Sequence, residues 1–166
     1  PGILTTIGTV LFFFLFPGFF DGEISLIKEQ MAVVSMPAPI SPAIFVFVQT
    51  LFALFISAPL NIAATFGEEF GWRAFLLPEL MPLGKRKALL ISSIIWGIWH
   101  WPVVLMGHNY GLAYAGYPWL GLIATLWFTI SAGVFFGWLS LEGKSVWPAV
   151  LAHGSLNGLA SIGSLF

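Results

Sequence analysis

Long apolar runs dominate the chain, and they recur at the length of a membrane helix. Five stand out: Ile3–Phe20, Ala43–Phe66, Ala88–Met106, Pro118–Leu141 and Val146–Leu165. As a helix the first would be about 27 Å long, close to the roughly 30 Å of a hydrocarbon core. The runs are continuous and do not alternate apolar with polar residues, which argues against a transmembrane barrel. Pro59 falls inside the second run and is expected to break or kink it. A helix with a polar edge, Glu68–Leu80, continues from there and stops at Pro82-Leu83-Gly84. The expected fold is all-α: a polytopic transmembrane helical bundle of about five apolar segments, read as a single membrane-embedded domain over residues 1–166.

Composition sharpens this reading. Only 8% of the residues are charged and 58% are hydrophobic, against about 25% charged in an ordinary soluble domain. With six Lys and Arg in all, no basic surface for nucleic acid can form. The absence of cysteine removes disulfides, thiolate metal ligands and a cysteine nucleophile. The basic cluster Lys85-Arg86-Lys87 and Lys144 belong to loops on one side of the bilayer, expected to be the cytoplasmic side; the loops with Lys28 and His108 fall on the other. Small residues within the spans, among them Gly97, Gly121, Ser131, Gly133, Gly137, Gly154, Gly158 and Gly163, suit close helix packing. Trp119 and Trp147 suit the membrane interface. The chain opens on Pro1 rather than Met, so it reads as a fragment or processed product that leaves room for membrane segments upstream.

Against this background the ionisable residues inside the runs are costly, at roughly 2.5–3.5 kcal/mol each near a bilayer centre on insertion scales. Glu68, Glu69 and Arg73 lie within six positions. Glu69 and Arg73 are four apart, share a helix face and can pair. Glu68, about 100° away around the axis, stacks over Trp72 and is left to face a cavity, where a carboxylate can serve as general base or acid. A purely structural ion pair at the interface is the plainer alternative. His100 lies about 20 Å along a helix from Lys87, one turn beyond Trp96 and amid Trp99 and Trp101. Pro102 cannot donate to the carbonyl of Ile98, so a kinked or hydrated backbone is expected beside His100. His153 and Asn157 are again four apart, on one face about 13 Å beyond Lys144. They could stabilise an oxyanion or form an interhelical polar clasp. His108 falls in a loop and reads as non-catalytic.

Glu68, His100 and His153 would also make a two-histidine, one-glutamate zinc set, although the His-Glu-x-x-His helix motif is absent. Asp21 is the sole aspartate and lies in a loop, so a Ser-His-Asp triad is unconvincing. Ser155 beside Gly154 is a weak serine nucleophile. A transporter with a Glu/His proton relay would call for repeated halves, which the sequence does not display.

Three motifs in order, Glu68-Glu69-x-x-x-Arg73, Trp96-x-x-x-His100 and His153-x-x-x-Asn157, resemble the CAAX protease and bacteriocin-processing family of intramembrane glutamate endopeptidases, which includes the type II CAAX prenyl endopeptidases. The flanks Phe66-Gly67-Glu68-Glu69-Phe70-Gly71-Trp72-Arg73, Trp96-Gly97-Ile98-Trp99-His100-Trp101-Pro102 and Trp147-Pro148-Ala149-Val150-Leu151-Ala152-His153 look like the bacterial branch. The resemblance covers about residues 59–160. Two positions depart from it: Ala74 stands where Gly usually follows the Arg, and Trp96 where Phe is common.

The resemblance implies an intramembrane endopeptidase. Glu68 would activate a water that attacks the scissile carbonyl, and His100 would polarise the water or shuttle its proton. His153 and Asn157 would form the oxyanion site, with Glu69 and Arg73 in support. It implies no cofactor, with zinc on Glu68, His100 and His153 as the alternative. The partners would be a membrane-associated, prenylated CAAX-type or bacteriocin-like peptide and the lipid bilayer. The expected place is the bacterial cytoplasmic membrane, multi-pass. A non-catalytic bacteriocin-immunity or scaffold relative is the competing class.

Overall fold

A computed structural model describes residues 2–22, 25, 28, 29 and 41–159. Half of the charged loop 21–30, the segment 31–40 with Pro37 and Pro39, and the end of the fifth apolar run lie outside the described residues. Within them every regular element is helical. That is what apolar runs require in lipid, where each backbone N–H and C=O must be satisfied inside its own segment. The elements are α1 (Gly2–Leu15), a 3₁₀ turn (Pro17–Phe19), α2 (Pro42–Phe52), a π-helical stretch (Ala53–Ser57) and α3 (Ala58–Glu69). A second π-helical stretch (Phe70–Leu76) leads to α4 (Leu77–Leu80), a 3₁₀ turn (Met81–Leu83), α5 (Lys85–Leu105), α6 (Trp119–Gly143) and α7 (Trp147–Leu159).

The protein is an integral membrane helical bundle. Among the described residues α5 and α6 are long and apolar enough to cross a bilayer, and the pair Phe47–Ser57 and Pro59–Leu83, bent by 51°, makes a third crossing if it is one span. The bend falls where Pro59 sits, as its missing N–H dictates. The first apolar run is divided: α1 has 14 residues, about 21 Å, and Pro17 opens a separate 3₁₀ turn. The described part of α7 has 13 residues.

The described residues fall into two compact units. In the unit Phe66–Val150, α5 and α6 pack against each other along their length. Small residues set the approach: a Cβ at Gly97 would meet Thr129 and Leu126, one at Gly133 would meet Ser93 and Arg73, and one at Gly137 would meet Leu89 and Leu77. Lipid is as apolar as leucine, so such contacts stabilise by close van der Waals packing rather than by transfer from water. A cluster of Leu77, Ala88 and Leu89, joined by Leu80, Met81, Val134 and Leu141, seats α4 against both long helices. Lys85 Nζ lies 2.8 Å from Glu142 Oε1, so the start of α5 and the end of α6 share one end of the unit. α6 stops at Lys144, whose left-handed backbone (φ 49°) lets Ser145 N–H donate to Ser140 O at 3.1 Å, a six-to-one closure of the last turn. Helix α5 runs unbroken through Pro102 to Leu105. The proline sits in the last turn, where it removes a single backbone bond, and Met106 N–H closes the end on Pro102 O and Val103 O.

In the unit Pro1–Thr65 with Leu151–Phe166, α1 carries a chain of ring contacts. Phe12 meets Phe13, Phe16 and Phe19, and Phe13 meets Phe20, at centroid distances of 5.2–6.1 Å. Across the start of α3, Asn61 Nδ2 donates to the carbonyl and hydroxyl of Ser57, and Thr65 Oγ1 donates to Asn61 O. The polar side chains of this stretch are thereby satisfied within their own helix.

Candidate active site

The motif segment changes helical register just after its two glutamates. From Phe70 to Leu76 the backbone is π-helical, and Leu77 N–H donates to Trp72 O, five residues back. Pro78 follows and offers no N–H to continue the narrower ladder. Wide turns of this kind frequently sit at functional sites. The register still lets Arg73 Nη1 donate to Glu69 Oε1 at 2.9 Å, with Glu69 0% and Arg73 4% exposed. The pair expected from the spacing is therefore present and deeply buried. A buried pair holds only where its geometry and further contacts offset the loss of hydration. Here the guanidinium carbon lies 4.5 Å from the Trp96 ring centroid and 5.5 Å from that of Phe136, two π faces that favour a cation. The absent side chain of Gly133 leaves the space that Arg73 occupies.

Glu68 leaves that pair to its neighbour. It is half-buried, and its Oε2 accepts a hydrogen bond from Trp96 Nε1 at 2.9 Å. Trp96, 2% exposed, also holds His100. The imidazole Nδ1 lies 2.8 Å from the Trp96 backbone carbonyl. A carbonyl can only accept, so Nδ1 carries the proton and, in the neutral ring, Nε2 carries the lone pair. The His100 ring stands edge-on to Trp96 and Trp99, at centroid distances of 5.5 and 5.0 Å. Glu68 and His100 are thus tied to one tryptophan, one through its indole and the other through its backbone. Trp72, expected beneath Glu68, packs edge-on to Trp99 at 5.8 Å. Its indole N–H and that of Trp101 are buried without hydrogen-bond partners.

His153 and Asn157 belong to the other unit, one turn apart on α7. His153 is 5% exposed, whereas Asn157 is exposed. Ser155 Oγ donates to Leu151 O at 2.8 Å, the back-bonding usual for a helical serine. His108 is exposed in the loop between α5 and α6. Among the described residues no three His, Cys, Asp or Glu side chains are grouped as a metal site.

Trp96 is the residue that sequence reasoning passed over as a site member. A signal existed: a donor-only side chain one turn before His100, on the face His100 uses. That it reaches a carboxylate 28 positions away depends on how α5 packs against the motif segment.

No individual curated protein and no solved structure matches the chain significantly. The family model for type II CAAX prenyl endopeptidase Rce1-like proteins matches residues 46–159, which takes in all three motifs. The chain belongs to the type II CAAX prenyl endopeptidase Rce1-like family.

Proposed function

We propose that the protein is an intramembrane endopeptidase in which Glu68 activates a water for attack on a peptide carbonyl. The observation that carries this reading is the pairing of Glu68 and His100 on Trp96. One carboxylate oxygen, Oε2, is engaged by the indole, which leaves Oε1 to accept a proton from water. His100 Nδ1 is committed to the Trp96 carbonyl, which leaves Nε2 to accept a hydrogen bond from the same water and orient it. As the water oxygen bonds to the scissile carbon, its proton passes to Glu68 and charge builds on the former carbonyl oxygen. Glu68 then returns the proton to the departing amine, and the C–N bond breaks. His153 and Asn157 supply donors to the oxyanion, an assignment that rests on their sequence pattern and on the family. Glu69 and Arg73 hold the motif segment.

The family's name directs the substrate reading to a prenylated, CAAX-type peptide held at the membrane, with other membrane-associated peptides, bacteriocin-like ones included, as the wider class. The proposed location is the bacterial cytoplasmic membrane. No cofactor is required in this mechanism. Cleavage of a peptide library by the purified protein, with and without chelator and alongside elemental analysis, tests it. Specific cleavage unchanged by chelator supports the reading. One tightly bound zinc, lost together with activity on chelation, would replace it with zinc chemistry on Glu68, His100 and His153. Absence of cleavage across prenylated and unmodified peptides would favour a non-catalytic role.

A further inference from the structure

We infer that Trp96 is a positioning residue for the water-activating carboxylate, acting through its indole N–H as well as through its bulk. The inference rests on the reading of Glu68 as general base. Three contacts converge on this side chain and its backbone. Trp96 Nε1 donates to Glu68 Oε2 at 2.9 Å. The ring face lies 4.5 Å from the Arg73 guanidinium carbon, and the backbone carbonyl accepts from His100 Nδ1 at 2.8 Å. With 2% exposure the indole has a single environment and little freedom to turn.

The N–H is a donor and nothing else, so it can meet only an acceptor. It holds one oxygen of a carboxylate that would otherwise rotate about its last bond, since terminal torsions of this kind are broad. The second oxygen is then kept toward the water. Fixing a general base in this way is worth rate rather than binding, because small misplacements of a reacting group carry large penalties in turnover. A phenyl ring at this position would keep an aromatic face toward Arg73 and His100, lose the donor, and fill less of the buried space than the indole. The thermal midpoint of Trp96→Phe reads the packing lost with the smaller ring, and its turnover reads the lost donor.

Two readouts test this. In turnover, Trp96→Phe should lower kcat by about ten- to a hundredfold, the usual loss for a hydrogen bond to a charged group, with KM nearly unchanged and folded yield retained. In ¹⁵N NMR of the wild-type protein, one of the eight indole N–H signals should be hydrogen-bonded and slow to exchange, and should move in Glu68→Gln. Wild-type kcat in Trp96→Phe, or eight indole signals unmoved in Glu68→Gln, overturns the inference. Should Trp96→Phe fail to fold, the NMR comparison decides alone. The function itself fails differently: wild-type turnover in Glu68→Gln would remove the general base while the indole signal still reported the contact.

Discussion

Arg73 is buried between Glu69 and the ring of Trp96, a placement that suits support of the proposed site. Its guanidinium meets Glu69 at 2.9 Å and stacks on Trp96, and neither charge reaches solvent. Arg73→Ala takes the cation from beside a fully buried carboxylate, which in buried pairs costs about 3–5 kcal/mol. Folded yield on size exclusion and the thermal midpoint should both fall. Arg73→Lys keeps the charge without the planar face and should fall between. A fully folded Arg73→Ala protein that lost turnover alone would move Arg73 into the chemistry. At this scale the sequence was legible where helix spacing decides the contact. Glu69 and Arg73 are four apart, and no change of neighbouring helices separates them. It was not legible where two segments must cross: nothing in the local pattern of Glu68 points to Trp96 rather than Trp72.

Among the elements, α5 and α6 depend on glycines that leave no room for a methyl group. Gly97→Ala would press on Thr129 and Leu126, and Gly133→Ala on Ser93 and Arg73. Overpacking of this kind costs about 1–3 kcal/mol, so both variants should unfold at lower temperature in detergent. Gly67→Ala and Gly71→Ala meet nothing within 4 Å and lie in helical backbone, where alanine is favoured by roughly 0.5–1 kcal/mol. Their thermal midpoints should hold or rise; destabilisation there would show that this face packs against something after all. The apolar runs and the break at Pro59 could be read from the sequence because lipid permits an apolar segment little but a helix. The π-helical stretch Phe70–Leu76 could not, since residue spacing assumes a single hydrogen-bond register. Pro78 was the available clue. Pro102 lies three residues before the end of α5, and the helix continues past it to Leu105.

At the level of the whole molecule, the Lys85–Glu142 contact at 2.8 Å joins the loop ends that the basic residues assign to one side of the membrane. Both side chains are about half exposed, so the pair marks topology more than it adds stability. Because the chain has no cysteine, single substitutions report sidedness without background. Lys144→Cys should react with an impermeant maleimide from the cytoplasmic side and His108→Cys from the opposite side; the reverse pattern would invert the topology. Family membership was legible from three short motifs, and the match over residues 46–159 bears that out. The proposal that Glu68 activates the attacking water is tested most directly by the turnover of Glu68→Gln on a prenylated CAAX-type peptide in liposomes. Gln keeps the shape and can still accept from Trp96, but it cannot take a proton from water. Cleavage should fall by at least about a hundredfold, the lower range for losing a general base, with folded yield unchanged. Turnover at the wild-type rate would contradict the mechanism.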